Sequence, residues 1–339
     1  MGRREALERV AAVLSDGGRF IATTHLRPDG DAVGSLLAFT HGMTALGKTV
    51  LPVTEEPIPR SYRFLPGWER VTQPDTYPAQ SRALSAGVCL DCDGLDRTGT
   101  VAPLIAAAPP LVNIDHHGGI KAFGDVRCIL PEASCTGELL MELLVDMLAV
   151  PLDRDLATCL LACHIYDTGR FSQSNTTPQA FRNAARLVEA GASVEDLAVR
   201  LFATRTYRRT LLRGRALAGA ELDADAGIVW SVLSLAVLTS LQAEPTDTDG
   251  IVEELRAVDS SRVAALVSEA RGGECRISLR SRDSSVDVAG IAARFGGGGH
   301  FRAAGCTIEA PLVEATERLL AAIRDALDAA PDPGARADG

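Results

Sequence analysis

The sequence predicts an α/β protein of two domains, the first built on a mostly parallel sheet with helices on both faces. Three observations carry this reading. The chain has 339 residues, and at roughly 100–200 residues per domain that length sets an expectation of about two. Short apolar runs closed by turn residues alternate with helical patterns, as parallel strands joined by helices do. A second unit of the same kind begins at Ile228. Hydrophobic residues are 46% and charged residues 23%, ordinary for a globular chain, but aromatics are only 4%, so Ala, Leu and Val must fill the core.

The elements follow in order. Residues 20–24 read as a strand, and 31–46 as a helix with Val33, Leu36, Leu37 and Met43 near one face and Gly47 as its stop. Strands are expected at 49–53, 87–91 and 111–115, and helices at 136–148 and 156–165. The stretch 193–222 is helical and carries Arg200, Arg205, Arg208, Arg209, Arg213 and Arg215. It reads as a linker with a solvated helix face, a phosphate-facing rim being the alternative. Strands are then expected at 228–233, 263–268 and 275–280, a helix at 286–295, a glycine run, a strand near 306–309 and an amphipathic helix at 312–327. The Pro/Ala/Gly-rich segment 329–339 reads as a disordered tail. The predicted division is 1–192, 193–222, 223–328 and 329–339.

Lys and Arg number 34 against 44 Asp and Glu, a net charge of −10. That balance argues against a sequence-blind coat on long nucleic acid, where basic residues supply the affinity. It leaves room for a metal-assisted site acting on small phosphate compounds. No run approaches the roughly 18 apolar residues that span a membrane. Residues 1–13 are charged and helix-like, unlike a secretory signal, so a cytoplasmic location and no membrane partner are expected. The cysteines Cys89, Cys92, Cys128, Cys135, Cys159, Cys163, Cys275 and Cys306 mostly sit in apolar stretches and read as buried free thiols.

Four acidic or histidine clusters fall at strand ends or beside helices. The first, Thr24-His25-Leu26-Arg27-Pro28-Asp29-Gly30-Asp31, leaves a strand and enters a helix. Such a loop can aim His25 and Asp29 at one point and Asp31 at a neighbouring one. The second is Leu90-Asp91-Cys92-Asp93, with Asp96 beyond; the third is Asn113-Ile114-Asp115-His116-His117; the fourth is Tyr166-Asp167-Thr168-Gly169. Consecutive residues of an extended chain point to opposite sides, so at most one of His116 and His117 is expected to share its neighbour's ligand direction. Ligands of open α/β sheets bind beyond the carboxyl ends of the strands. Carboxylates with imidazoles suit Mn²⁺ or Mg²⁺ better than a structural Zn²⁺. A carboxylate shared by two such ions, roughly 3.5–4 Å apart, serves in-line phosphoryl displacement. A single Asp after a strand is ordinarily a turn or cap; four clusters together are not. His41 and His164 lie outside the clusters and read as structural, Asp93 and Asp96 as turn residues or outer-sphere groups. Cys89 and Cys92 have CxxC spacing, but Cys89 lies inside the apolar strand, and Cys159, Cys163 and His164 lie on a helix with no matching second pair, so neither group reads as a zinc site.

In the second domain, Arg280 and Arg282 lie two residues apart on one face of a strand. Gly296-Gly297-Gly298-Gly299-His300-Phe301-Arg302 follows. Glycines let backbone amides approach an anion, and arginines add charge and bidentate geometry for phosphate.

These motifs resemble those of the DHH phosphoesterase family: His25-x-x-x-Asp29-x-Asp31, Asp91, Asp115-His116-His117 and Asp167 in one domain, and Gly296 to Gly305 with His300 in a DHH-associated C-terminal domain. The resemblance covers all but the tail and is strongest to the bacterial bifunctional oligoribonuclease and pAp phosphatase branch, the nanoRNases. It implies a two-lobed α/β fold with a cleft. It assigns one metal to His25, Asp29 and Asp91 and a second to Asp31, Asp91, His116 and Asp167, with Asp91 bridging and Mn²⁺ preferred over Mg²⁺. A ligand role for Asp93 instead would shift the strand-end assignment by two residues on the same face. Asp115 would orient a ligating histidine, and His117 would touch the scissile phosphate or aid proton transfer. Arg280, Arg282, Gly297, Gly298, Gly299 and His300 would grip the nucleotide. The implied substrates are short single-stranded RNA, hydrolysed to nucleoside monophosphates, and adenosine 3′,5′-bisphosphate; a homodimer is suggested. The rivals are a cyclic or linear dinucleotide phosphodiesterase using the same metals, and a non-catalytic nucleotide-binding regulator. Competent residues at every metal position speak against the regulator. The gripping domain argues against an inorganic pyrophosphatase, and the size against larger exonucleases.

Overall fold

The computed structural model describes residues 2–76, 83–118 and 123–329, without the side chains of Pro245 and His300. The predicted tail beyond Ala329 lies outside the described residues. The chain forms two compact units, Met1–Thr204 and Arg205–Gly339, and the division falls inside the arginine-rich stretch 193–222.

The first unit runs α1 (Arg3–Asp16), β1 (Arg19–Thr23), α2 (Gly30–Ala45), β2 (Thr49–Pro52), β3 (Ala86–Leu90), α3 (Ala102–Ala106), β4 (Leu111–Asp115), β5 (Val126–Ile129), α4 (Thr136–Leu140), α5 (Arg154–Asp167), α6 (Pro178–Glu189) and α7 (Val194–Ala198). After α4 the helix loosens into a π-helical stretch, Met141–Met147. The five strands form one sheet in the order β2-β1-β3-β4-β5, and every neighbouring pair is parallel. Period-2 alternation sends its side chains into two cores. Phe20, Ala22, Val88, Leu90, Val112 and Ile114 enter the core shared with α1, α2, α4 and α5. Ile21 and Cys89 face a smaller core with Val101, Ile105 and Ala108 around α3. The sheet is thus covered on both faces, as its continuous apolar strands require.

Helix α2 was expected to bury one face, but it is buried on nearly every side. It packs against α5 at Gly34, where a Cβ would stand 2.6 Å from Cys163 Sγ and 2.8 Å from the Cys159 carbonyl oxygen. No other residue permits that approach, and it brings the ends of α2 and α5 to one place.

The second unit runs α8 (Tyr207–Ala218), β6 (Glu221–Asp223), β7 (Ile228–Leu233), α9 (Leu235–Ser240), α10 (Ile251–Arg256), β8 (Val263–Ala270), β9 (Glu274–Ser281), α11 (Val288–Ala293), β10 (Gly298–His300), β11 (Ala303–Ile308) and α12 (Leu312–Ala329). Its six-stranded sheet, β10-β11-β9-β8-β7-β6, is antiparallel except for the β7–β8 pair. Ile228, Val263 and Ala265 face a core with α11 and α12, while Val229, Ala264 and Leu266 face one with α8 and α10.

Two expectations change here. The strand expected near 306–309 begins earlier, at Ala303, because its pairing with β9 runs from Ala303↔Arg280 to Ile308↔Cys275. The glycine run is not simply a loop: Gly298–His300 pairs antiparallel with β11 as an edge strand. All eight cysteines are free; seven are buried and Cys306 is intermediate. Among the described residues no helix is long and apolar enough to cross a membrane.

Candidate metal centre and nucleotide-gripping region

The strand order 2-1-3-4-5 reverses between β1 and β3, and ligands of such sheets collect at the carboxyl ends beside that reversal. Just beyond those ends lie His25 after β1 and Asp91 after β3; β4 ends in Asp115, followed by His116. Asp29 and Asp31 enter from the start of α2, and Asp167 from the end of α5.

Each side chain is held in place. Asp29 caps α2, its Oδ1 accepting from the Asp31 and Ala32 amides at 3.0 and 3.1 Å. Asp31 is fully buried. It accepts from the Thr136 and Gly137 amides at the start of α4 at 2.7 and 3.2 Å, and from Ser35 Oγ at 3.1 Å. Asp91 accepts from Thr136 Oγ1 at 3.0 Å. His25 Nδ1 lies 2.8 Å from its neighbour's carbonyl, Leu26 O; donating there leaves Nε2 as the electron-pair donor. That Nε2 stands 3.8 Å from Asp91 Oδ2.

His116 and His117 depart from the expected divergence. The strand stops at Asp115, whose Oδ1 accepts from the His117 amide at 3.0 Å and pairs with His117 Nδ1 at 2.8 Å. This turn folds the chain back, so both rings lie together with centroids 4.4 Å apart. His116 Nε2 lies 2.9 Å from Asp167 Oδ2, 3.6 Å from Asp91 Oδ1 and 3.8 Å from Asp31 Oδ2. It is nevertheless buried without a properly directed hydrogen bond.

Among the described residues, three overlapping sets offer ligand atoms within 4.8 Å of one another: His25, Asp29 and Asp91; Asp31, His116 and Asp167; and Asp91, His116 and His117. Asp91 and His116 each belong to two sets. Asp93 stays outside, 3.6 Å from Arg97 on the same turn. His41 pairs with Asp153 at 2.8 Å, and buried His164 lies between Leu160 O and Asn183.

The electrostatics of the cluster are those of a charge deficit. Burial, then the carboxylates of Asp31, Asp29, Asp167 and Asp115, push Asp91 well above the ordinary carboxylate range. Burial also raises Asp29, against the opposing Ala32 amide. Asp167 is pushed up to about 6 by burial and by Asp31, although His116 pulls the other way. For His116 burial works downward, but Asp167, Asp31 and Asp115 outweigh it and raise the imidazole to about 9. Asp115 is the main cause of the rise at His117. Such a pocket is completed by cations. Its nitrogen and oxygen donors suit hard or borderline divalent ions. The neighbouring thiols of Cys135 and Cys163 are held far above their usual range by burial and by Asp31, so they stay protonated. The undirected Nε2 of His116 and the crowded carboxylates therefore fit a divalent metal centre. Left-handed backbone at Arg27, Asp91, Arg170 and Phe171 surrounds it, the kind of strain that persists where a site needs it.

The chain's sequence did not single out Thr136, Ser35 or Asn175. Asn175 Nδ2 donates to the carbonyls of Ser134 and Asp167 at 3.0 and 3.1 Å. These are common polar residues with no local mark of their role; Ser35 and Asn175 lie four and eight residues from Asp31 and Asp167, while Thr136 lies 105 from Asp31.

In the second unit, Arg280 lies on β9 and Arg282 one residue past its end. Arg280 pairs with Glu253 of α10, Nε and Nη2 at 2.9 and 2.8 Å from Oε1. Arg282 Nη1 donates to the Val258 and Asp259 carbonyls at 3.3 and 3.2 Å. The amides of Gly296 and Gly297 are already bonded to Ala293 and Ala292 at the end of α11, at 3.1 and 3.0 Å. A Cβ on Gly297 would stand 2.3 Å from the Gly305 carbonyl oxygen, whereas one on Gly298 would meet nothing within 4 Å. His300 lies on β10; its side chain is outside the described residues.

Comparison with known proteins identifies both domains. The DHH family, N-terminal domain, matches residues 19–163, and the DHHA1 domain matches residues 231–329. The bifunctional oligoribonuclease and PAP phosphatase NrnA of Thermus thermophilus is 34% identical over 327 residues, covering 95% of each chain. The Bacillus subtilis protein of the same description is 25% identical over 289 residues, 84% of this chain and 87% of that one. An exopolyphosphatase-related protein from Bacteroides fragilis superposes with a TM-score of 0.89 over 96% of this chain and 97% of its own, at 22% identity, a likeness of fold. With both of its domains matched and a relative this similar along its whole length, the chain belongs to the DHH–DHHA1 family of phosphoesterases.

Proposed function

We propose that this phosphoesterase hydrolyses short RNA oligonucleotides to nucleoside monophosphates and removes the 3′-phosphate of adenosine 3′,5′-bisphosphate. The observation that carries the reading is the partly buried set of overlapping His/Asp triads at the strand-order reversal, in a chain 34% identical to a relative described as an oligoribonuclease and PAP phosphatase. His25, Asp29 and Asp91 would hold one divalent cation, and Asp31, Asp91, His116 and Asp167 the other, with Mn²⁺ the preferred ion. Bound there, the pair supplies Lewis acidity to the phosphate oxygens and to the attacking water.

The chain's own groups do the rest. Asp115 fixes the His117 ring through Nδ1 and leaves Nε2 directed away from the carboxylate. The His117 side chain is 43% exposed, so it can reach substrate. Asp115 raises its pKa, which favours the protonated ring that would donate to a phosphate oxygen or to the leaving oxygen as the P–O bond breaks. Asp29 and Asp31, anchored by amides, hold their oxygens still while charge shifts in the transition state. In the second unit Arg280, Arg282, Gly297, Gly298, Gly299 and His300 are proposed to grip the nucleotide. The Arg280 guanidinium would exchange Glu253 for a phosphate.

The test is a panel in Mn²⁺: RNA of two to about twenty-four nucleotides, adenosine 3′,5′-bisphosphate, cyclic di-AMP and pyrophosphate. Fastest release of monophosphate from the shortest RNAs, with phosphate release from the bisphosphate, is expected. Preference for cyclic dinucleotide, pyrophosphate or long strands would overturn the substrate assignment and leave the metal centre standing.

A further inference from the structure

One buried acid of the first unit has no part in the chemistry above. Glu138 sits in the first turn of α4 and is 2% exposed. Its Oε1 pairs with Arg3 Nη2 of α1 at 2.9 Å, and its Oε2 accepts from Ser134 Oγ at 2.6 Å and from the Ser134 amide at 3.3 Å. Arg3 is itself fixed by a second carboxylate, Glu142, at 2.8 Å. The carboxylate of Glu138 thus ties down the turn 134–137 from behind.

The front of the same turn serves the metal cluster. The Thr136 and Gly137 amides hold Asp31, and the Thr136 hydroxyl holds Asp91. The Ser134 carbonyl is joined through Asn175 Nδ2 to the backbone carbonyl of Asp167. One short turn therefore meets three acids of the cluster on one side, and on the other depends on an ion pair reaching back to the third residue of the chain. None of Arg3, Glu138 and Asn175 offers an atom to the ligand sets.

We propose that Glu138, paired with Arg3, and Asn175 are positioning residues that set the spacing between Asp167 and the Asp31–Asp91 pair, so that divalent-cation affinity depends on them. A group that orients a ligand from outside is typically worth about ten- to a hundredfold in metal affinity. The inference rests on the metal-centre reading but not on which phosphoester is cleaved.

The test is direct Mn²⁺ binding to the full chain by calorimetry and by electron paramagnetic resonance of free Mn²⁺, with Asn175→Ala, Glu138→Gln and Arg3→Ala. Asn175→Ala is expected to weaken Mn²⁺ binding about tenfold, with the metal-free melting temperature within a few degrees of the parent. Glu138→Gln keeps the shape and should weaken binding by a similar factor. Arg3→Ala should do so by less, because Arg3 is partly solvated. If Glu138→Gln fails to fold, Asn175→Ala and Arg3→Ala decide. Unchanged Mn²⁺ affinity in Asn175→Ala and Arg3→Ala, whatever happens to the melting temperature, would reduce the network to plain scaffolding and overturn the proposal. A parent chain that binds no Mn²⁺ would overturn both the proposal and the metal centre beneath it.

Discussion

The two candidate regions differ in how far their charges are already satisfied. In the first unit, four carboxylates and His116 crowd together, three of the acids have raised pKa values, and one buried imidazole nitrogen has no directed partner. In the second, Arg280 already holds Glu253, Arg282 holds two carbonyls, and two of the glycine amides close a helix. The first region is incomplete as it stands and asks for cations. In the second, both arginines already have internal partners, which a phosphate bound there would have to displace. On the proposed function, that contrast predicts strong binding of metal and a comparatively weak grip on a nucleotide.

The largest test of the contrast is Asp91→Ala. Asp91 is shared by two ligand sets, so its loss should lower turnover at least about a thousandfold, some 4 kcal/mol of lost transition-state stabilisation, while circular dichroism stays native. Near-parental turnover would remove Asp91 from the bridge between the cations.

A second test reads the charge deficit itself. In the metal-free chain Asp167 titrates near 6 rather than 3.8, and His116 near 9 rather than 6.5. Between each pair of values the folded chain binds more protons than the unfolded one. Its stability therefore falls as pH rises from about 4 to about 6, and again from about 6.5 to about 9. The depressed carboxylates Asp153, Asp223 and Asp283 act below 3.8, whereas buried His164, depressed below 6.5, opposes the first window and leaves the second clear. Melting temperatures in chelator should decline from about pH 6.5 to about pH 9, and the gain on adding Mn²⁺ should widen with pH. A melting temperature that climbs with pH in chelator would contradict the crowding.

Smaller effects belong to the second unit. Gly297→Ala should cost about 1–3 kcal/mol of stability by overpacking against Gly305, measured by denaturant unfolding. Gly298→Ala, with open space around it, should change stability by less than about 0.5 kcal/mol. Equal losses at the two positions would refute the hairpin packing. Arg280→Ala should raise KM about tenfold with kcat within about threefold, the loss of one charge-assisted contact. Glu253→Gln should lower KM two- to threefold, roughly, by freeing Arg280. A rise in KM in Glu253→Gln would mean that Glu253 holds Arg280 ready rather than competing with substrate.

Much of this was legible in the chain. The central strands β1, β3 and β4 are short apolar runs ending in ligand-type residues, and helices α2 and α5 carry strong patterns, so the fold class and the cluster could be read together. The short edge strands were harder. Val126–Ile129 has one buried face and a charged residue within it, Glu221–Asp223 is largely polar, and Gly298–His300 is mostly glycine; tertiary pairing, not local preference, makes each a strand. The bend at Asp115 was hidden for a related reason: an Asp side chain capturing the amide two residues on overrides the alternation of an extended chain. Thr136 and Asn175 could not be read at all, because nothing local distinguishes an amide or hydroxyl that serves an acid 105 residues away, as at Thr136, or a side-chain amide that ties down a carbonyl eight residues back, as at Asn175, from one that faces water.

The central claim is that the first unit holds two divalent cations bridged by Asp91, and it is tested most directly by counting them. Purified parent chain equilibrated with Mn²⁺ and freed of excess should carry two ions per chain by elemental analysis, and Asp91→Ala fewer. One ion or none in the parent, or two retained by Asp91→Ala, would contradict it.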